Sequence, residues 1–373
     1  MAKIGIITYH YVPNYGAAMQ VWALQKYLQR LGHEVFLIDY RPSHLTTGGC
    51  FRFPKDDWSK RANLVIAYQK VMALKQIILG DGGKRQRFET FHQECLNIAT
   101  PLYRTNKALQ QHPPEADAYI CGSDQIWNAS EQFGIDSSYF LDFAPRGIRR
   151  ISYAASFGRP YVHPRFESAT ADLIRSMDTI SVRELSGVAI VKELSDRDAE
   201  WVPDPTLLVD DGYPEAVLPT DQTENYIFSY TLRSRELVSS LERQLAVVTG
   251  LSVVSPITLA ASGHGEPGPL EWLGYIKSAK VVITNSYHGT LFSIILKKPF
   301  IFVGLSGAKV GFNERVNSLL HGLGLQNRMM DSYDEERLHA IVAEDINWDD
   351  IEEILSQWRE NGNAYLVQSL EAH

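Results

Sequence analysis

What this sequence lacks limits its function before any motif is read. Cysteine is scarce: Cys50, Cys95 and Cys121 are the only three in 373 residues. They are widely spaced and form no CxxC pair, which argues against zinc-ribbon or dithiol redox chemistry and fits a reducing cytoplasm. Positive charge is in deficit, with Lys+Arg 36 against Asp+Glu 44 and a net charge of -8. A general nucleic-acid binder needs the opposite balance, so no nucleic-acid partner is expected and any anionic ligand must be met by a local cluster of cations. The N-terminus enters a strand-like run directly, without the parts of a signal peptide, so export is not expected.

Long apolar runs are missing too. The greasiest stretch, Ala62 to Leu79, is interrupted by Asn63, Gln69, Lys70, Lys75 and Gln76, which predicts no membrane span. The stretch is still amphipathic, and Lys84, Arg85 and Arg87 follow it. It could rest peripherally on an anionic membrane surface; a core helix beside a solvated charge cluster is the simpler expectation. No HExxH spacing or GxSxG elbow occurs, and the loop from Thr8 to Gly16 after the first strand does not match the GxGxxG fingerprint, which disfavours metalloprotease, serine-hydrolase and NAD or FAD chemistry. No metal or cofactor is expected.

What is present reads as two α/β units. The length exceeds the ~250 to 300 residues at which single cores stop growing, and the 45% hydrophobic content is enough to fill two. The chain opens with an apolar run at Ile4 to Ile7, a turn-rich loop, and a helix with Val21, Leu24, Leu28 and Leu31 on one face. Gly32 stops that helix, and Val35 to Ile38 follows as a second strand. Ala118 to Cys121, Ile151 to Ala154 and Thr179 to Val182 predict further strands of a parallel sheet. Pro203, Asp210, Asp211, Gly212, Pro214 and Pro219 have linker composition, placing a boundary near residue 215. Beyond it strands at 226–230, 252–254, 281–284 and 300–303 alternate with helices at 236–248, 270–278 and 290–296. The expected architecture is thus two Rossmann-like domains in tandem, 1–215 and 216–345. A final helix within 346–373 would pack back on the first domain.

In such sheets ligands bind beyond the carboxyl ends of the strands, which draws attention to four loops. Asn14, Tyr15 and Gly16 lead into the first helix, whose free N–H groups could cradle an anion; Asn14 as a simple cap is an equal alternative. Ser123 and Asp124 follow the strand at 118–121, in a loop that could line a cleft or simply be a tight turn. Arg183 follows the strand at 179–182 and suits bidentate contact with a carboxylate or phosphate. The richest loop is Thr284-Asn285-Ser286-Tyr287-His288-Gly289-Thr290. There His288 would stand at a helix start among hydroxyls, a position suited to proton transfer.

These segments together resemble the polysaccharide pyruvyl transferase family. The matching pieces are Asn-Tyr-Gly-Ala-Ala-Met-Gln (14–20), Ala-Leu-Gln-Lys-Tyr-Leu (23–28), Gly-Ser-Asp-Gln-Ile-Trp-Asn (122–128), Ser-Tyr-Ala-Ala-Ser-Phe-Gly (152–158), Ser-Val-Arg-Glu (181–184), Pro-Asp-Pro-Thr (203–206) and Thr-Asn-Ser-Tyr-His-Gly-Thr (284–290). The resemblance implies a glycosyltransferase-B-like fold with a cleft between its domains, phosphoenolpyruvate as donor substrate, and a sugar or lipid-linked oligosaccharide acceptor. It also implies work in the cytoplasm, at the inner face of the membrane. Several family members carry an Arg-x-His element where this chain has Ser286 before His288, so the charge must come from elsewhere: Arg183, Lys309, Arg315 or Arg328.

On that basis His288, Arg183 and Asp124 are the expected catalytic residues. Asn14, Tyr15, Gly16, Ser123, Asn285, Ser286, Gly289, Thr290, Lys309 and Arg315 are the expected substrate contacts. Two other readings stay open: a nucleotide-sugar glycosyltransferase or epimerase, and a glycan-binding or assembly component without turnover, which the loss of the arginine would favour.

Overall fold

The computed structural model describes residues 1–42, 59–60, 63–68, 70–71, 74, 83–130, 132, 134–209, 213, 225–232 and 235–371, with backbone alone at 308, 309 and 312. The expected boundary near residue 215 lies outside this set, as does most of the linker.

Five strands, β1 (Lys3–Ile7), β2 (Glu34–Tyr40), β3 (Ile98–Tyr103), β4 (Ala118–Cys121) and β5 (Arg149–Ser152), form one sheet in the order β3-β2-β1-β4-β5. All its pairings are parallel. Helices α1 (Tyr15–Arg30), α2 (Lys84–Cys95) and α3 (Asn106–Gln111) belong to this half, as do α4 (Pro164–Arg175) and α5 (Leu185–Ser195). A short parallel pair, β6 (Ser181–Val182) and β7 (Glu200–Trp201), continues beside β5 through bridges at Ile151–Thr179 and Ala155–Val182.

The second sheet repeats the design. Strands β8 (Tyr226–Tyr230), β9 (Ser252–Val254), β10 (Val281–Thr284), β11 (Phe300–Val303) and β12 (Met329–Met330) lie in the order β12-β11-β10-β8-β9, again all parallel. Its helices are α6 (Glu236–Thr249), α7 (Pro256–Ala261), α8 (Pro269–Ser278), α9 (Tyr287–Ile295), α10 (Glu314–Gly322) and α11 (Glu335–Ala343). Because helices cover both faces, the central strands are apolar throughout: β4 and β11 are buried at every position. In each sheet the chain reverses its order beside the first strand, so the loops after β1 and β4, and after β8 and β10, open into a crevice.

Helix α1 departs from the amphipathic helix its periodicity predicts. It is buried at every position from Tyr15 to Gln25 and again at Leu28. One side packs on the first sheet, and the other meets the second half of the molecule. Tyr15 stacks on Trp272 at 5.1 Å with an interplanar angle of 3°. Gly16, Ala17 and Ala18 keep the first turn narrow enough for that approach. One continuous apolar core therefore joins Ile6 and Leu24 to Trp272 and Phe292.

The segment Pro203 to Val209, linker-like by composition, is buried throughout. Helix α12 (Trp348–Glu371) explains part of this: Gly362 is pressed against Pro203, Leu208 and Tyr153, and Tyr365 donates its hydroxyl to the Ser152 carbonyl. No helix among the described residues is long and apolar enough to cross a membrane.

Candidate active site

The crevice between the two sheets is built from segments far apart in sequence. Asp204 is its hub. A 3-10 turn at Pro205–Leu207 begins at Asp204, whose Oδ1 accepts the Thr206 N–H at 3.0 Å and the Thr206 hydroxyl at 2.8 Å. This leaves Oδ2 facing inward. There it accepts Nη1 of Arg183 at 2.5 Å and the Ser123 hydroxyl at 3.2 Å. His288 Nε2 stands 3.5 Å from the same oxygen, near enough for electrostatic pairing but beyond a good hydrogen bond.

The ionisation of this cluster follows from its geometry. Burial alone would raise the Asp204 carboxyl, but the His288 imidazole, the Arg183 guanidinium and the Thr206 N–H hold it well below the usual carboxylate range. Burial likewise works against the charge of Arg183, yet Asp204, Tyr287, Asp124 and Glu184 outweigh it and raise that group. On the carboxylate side the pair is fully met, since each Asp204 oxygen accepts two hydrogen bonds.

Arg183 reaches Asp204 through one edge only. Its Nε and Nη2 have no hydrogen-bond partner although both are buried, and Nη2 lies 3.8 Å from Asp124 Oδ1. Arg315, at the start of α10, brings a second guanidinium. Arg183 and Arg315 both lie over the Tyr287 ring, at 4.7 and 5.3 Å from its centroid. Burial, and then the nearby Arg183, push the Arg315 group down to about 10, and its Nε also lacks a partner. The two guanidinium groups, with Asp204 and Tyr287, line a small cleft closed by Trp201 and by Trp358 of α12.

His288 occupies the first turn of α9, which starts three residues earlier than its periodicity predicts. Ser286 is the N-cap and accepts the Gly289 N–H at 3.2 Å. The imidazole is buried, with Nε2 free of any hydrogen bond. A β-carbon at Gly16 would overlap the His288 ring, so the starts of α1 and α9 meet at these two residues.

The other expected contacts divide. Ser123 joins the cluster directly, accepting Nη1 of Arg183 at 3.0 Å on its hydroxyl. Asp124 has φ +79, and its Oδ1 accepts the Gln125 N–H at 2.8 Å, as in a tight turn, while still facing Arg183. Asn14 caps α1 by accepting the Ala17 N–H, and also borders a second cleft with Lys84, Ser229, Thr231, Arg235 and Ser255 at the ends of β8 and β9. Tyr15 stacks on Trp272 and also borders this second cleft.

The hydroxyls of Ser286 and Thr290 are used inside α9, the latter donating to the Ser286 carbonyl at 3.1 Å. Asn285 accepts the Leu232 N–H at 2.8 Å, and Gly289 fits tightly over Thr284. These four shape the His288 loop instead of lining the cleft. Arg328 is out of place as a source of the missing charge: it serves the Ile341 and Glu344 carbonyls, beside the amino ends of β10 and β11. The side chain of Lys309 lies outside the described residues.

Sequence reading missed Asp204, Tyr287 and Glu184. Asp204 stood in the Pro-Asp-Pro-Thr motif, but its proline-flanked setting looked like linker. Glu184 is fully buried, and its Oε1 accepts the Ser156 hydroxyl and the Phe157 and Gly158 N–H groups. Burial raises its pKa against the opposing charges of Arg183 and Arg315. Among the described residues no three His, Cys, Asp or Glu side chains are placed to hold a metal ion.

Comparison with solved structures gives the fold. A Listeria monocytogenes protein assigned as a UDP-N-acetylglucosamine 2-epimerase aligns over 99% of this chain and 96% of its own, with 10% identity and a TM-score of 0.51. The UDP-N-acetylglucosamine 2-epimerases of Rickettsia bellii (12% identity, 100% and 97% covered, TM-score 0.48) and Methanocaldococcus jannaschii (11%, 92% and 93%, 0.47) also align. The architecture is the tandem Rossmann-like, glycosyltransferase-B-like one. No curated relative matches the chain. The family model of polysaccharide pyruvyl transferase matches residues 14–307, a span holding nearly all of the Asp204 cluster, and the chain belongs to that family of transferases.

Proposed function

We propose that this protein transfers a pyruvyl group from phosphoenolpyruvate to two hydroxyls of one sugar in a surface polysaccharide or its lipid-linked precursor, forming a ketal. The observation that carries this reading is that two guanidinium groups, Arg183 and Arg315, line one cleft with nitrogens that have no hydrogen-bond partner, while His288 stands against Asp204 of the same cleft. The donor bears a carboxylate and a phosphate. Arg183 is the ligand for one and Arg315 for the other, and Arg315 stands in for the arginine absent before His288.

The reaction has four demands. The methylene carbon of the enol phosphate takes up one proton, and the oxocarbenium character that develops at the neighbouring carbon is met by a sugar hydroxyl. That hydroxyl loses its proton as the new C–O bond forms. The C–O bond to phosphate breaks and phosphate leaves, after which the second hydroxyl closes the ketal and gives up its own proton. His288 is the acid that delivers the first proton, and Asp204, 3.5 Å from its Nε2, stabilises the protonated imidazole. Asp124, at the cleft edge, is the base for a sugar hydroxyl. The second cleft, with Asn14, Ser229, Thr231 and Ser255, is the place for the acceptor. The work belongs in the cytoplasm, on the inner face of the membrane, where such precursors are assembled.

The test is to incubate the protein with phosphoenolpyruvate and a panel of galactosyl, mannosyl and N-acetylhexosaminyl acceptors, following phosphate release and a pyruvyl mass increase together. Turnover only with a UDP- or GDP-sugar would replace this reading with a nucleotide-sugar transferase or epimerase. Acceptor binding without turnover would make the protein a glycan-binding component.

A further inference from the structure

A separate pocket lies away from the crevice, at the amino ends of β10 and β11. It has a volume of about 150 Å³ and is lined by the last turns of α6 and α11 and the first residues of the two strands. Leu251, Val281, Phe300, Ile301, Ile341 and Val342 make its walls apolar. An apolar space of roughly this size takes a body as large as a benzene ring.

Two cations border those walls, and no acid is among the lining residues. Lys280 is exposed at the rim, and among the described residues nothing pairs with its ammonium group. Arg328 is buried. Its Nη1 and Nη2 donate to the Ile341 and Glu344 carbonyls at 2.8 and 2.6 Å, at the C-terminal end of α11, where a cation suits the helix dipole. Its Nε has no partner. The nearest carboxylate, that of half-exposed Glu344, stands 3.6 Å from the guanidinium and also accepts Asn327 Nδ2 at 2.6 Å. Burial lowers the Arg328 pKa in spite of Glu344 and Asp345, as expected of a cation short of negative charge. Capping of α11 explains two of the three guanidinium nitrogens; it explains neither Nε nor the room beside it.

We propose that this pocket binds a small organic acid, its ring-sized apolar body against Leu251, Val281 and Ile341 and its carboxylate against Lys280 and Arg328. A carboxylate fits better than a phosphate dianion, because apolar walls strip water from a second charge that no further cation would meet. The inference stands apart from the proposed reaction. Val281 in the pocket wall begins β10, and the other end of that strand leads into the helix of His288, so the acid would sit on the opposite side of the second sheet from the crevice.

The experiment uses the full chain and three probes: benzoate, which has both parts, acetate, which lacks the ring, and benzamide, which lacks the charge. Titration followed by ligand-observed saturation-transfer NMR should show benzoate filling a single site with a Kd of about 1 mM or tighter, and the other two binding about tenfold or more weakly. Lys280→Gln and Val342→Trp both change exposed rim positions and should keep the wild-type unfolding temperature. The first should weaken benzoate by about tenfold, the loss of one charge-assisted contact, and the second should block the mouth and abolish saturable binding. Arg315→Gln, in the crevice, should leave benzoate binding unchanged. Benzoate that does not bind, that binds no better than benzamide, or that binds both rim variants as well as the wild type overturns the proposal. Loss of its binding in Arg315→Gln does the same, since the acid would then belong to the crevice.

Discussion

The imidazole of His288 fills the space that a side chain at residue 16 would need. Gly16 opens the first helix of one half, and His288 lies in the first turn of a helix in the other. Their contact sets the position of the imidazole relative to Asp204 and Arg183. Gly16→Ala should therefore leave each half folded but push His288 out of register. A displacement of about 1 Å at a reacting group can cost ~10²-fold in rate. Steady-state turnover beside an unchanged far-ultraviolet circular dichroism spectrum checks this. Wild-type turnover in the variant would mean that the contact does not position His288.

Removing the imidazole is the more direct test. His288→Ala should lower kcat by ~10²- to 10⁴-fold, the usual contribution of a positioned acid or base, and should leave Asp204 still paired with Arg183. A single-turnover phosphate-release measurement separates this loss from slower donor binding.

Arg315 should act on the donor rather than on the proton. Its guanidinium shares Tyr287 with Arg183, and burial beside that charge holds it down to about 10. Arg315→Gln should thus raise KM for phosphoenolpyruvate, by about tenfold or more, for the loss of one charge-assisted contact of ~1.5 to 3 kcal/mol. Thermal stability should hold steady or rise, because a crowded cation has been removed. Initial rates against donor concentration, with calorimetry on the same samples, distinguish the two effects.

Asp204 is the stability test. Asp204→Asn leaves the Arg183 guanidinium buried without its counter-charge, and breaking such a pair costs ~3 to 5 kcal/mol. The same carboxylate predicts an acid limit. Its folded-state pKa is depressed, so its contribution is fully present above the unfolded value of about 4 and is lost as pH falls below it. The wild-type unfolding midpoint should fall as pH is lowered from about 5 to 3, and the Asn variant should lose part of that slope. Differential scanning calorimetry across the range checks both statements.

Glu184 has the opposite sign. Burial raises its folded-state pKa, so its contribution is greatest below the unfolded value and is lost as pH rises through the folded one. Glu184→Gln keeps the three bonds accepted by Oε1 and should flatten the pH dependence of stability on the neutral side of pH 4.5. An unchanged slope would remove Glu184 from the account.

Much of this was legible from the chain itself. The strands at 118–121, 226–230, 252–254, 281–284 and 300–303 match their apolar runs residue for residue, because strands of a parallel sheet covered by helices read as near-continuous apolar runs. Arg183 and His288 stood out because each follows such a strand. Other elements carried weaker signals. β3, an edge strand reading Ile-Ala-Thr-Pro-Leu-Tyr, is buried only at Tyr103 and carries a proline, and the α4 segment, with its helix-starting Pro164, was passed over. The 62–79 run followed the rule that apolar periodicity means core, and among its described residues Leu64, Val65, Tyr68, Val71 and Leu74 are exposed.

The sequence on its own determined the alternation of strands and helices, the parallel sheets and the family motifs, since each depends on periods of two to four residues and on residues adjacent in the chain. Only the tertiary structure decided that residues 16, 123, 183, 204, 288 and 315 meet. It alone showed that Asp204 is a buried hub and not part of a linker, and that Ser286 and Thr290 serve their own helix. The physical reason is that burial and pairing depend on what the opposite half of the molecule brings to the crevice, and no local pattern in one segment records the chemistry of another hundreds of residues away.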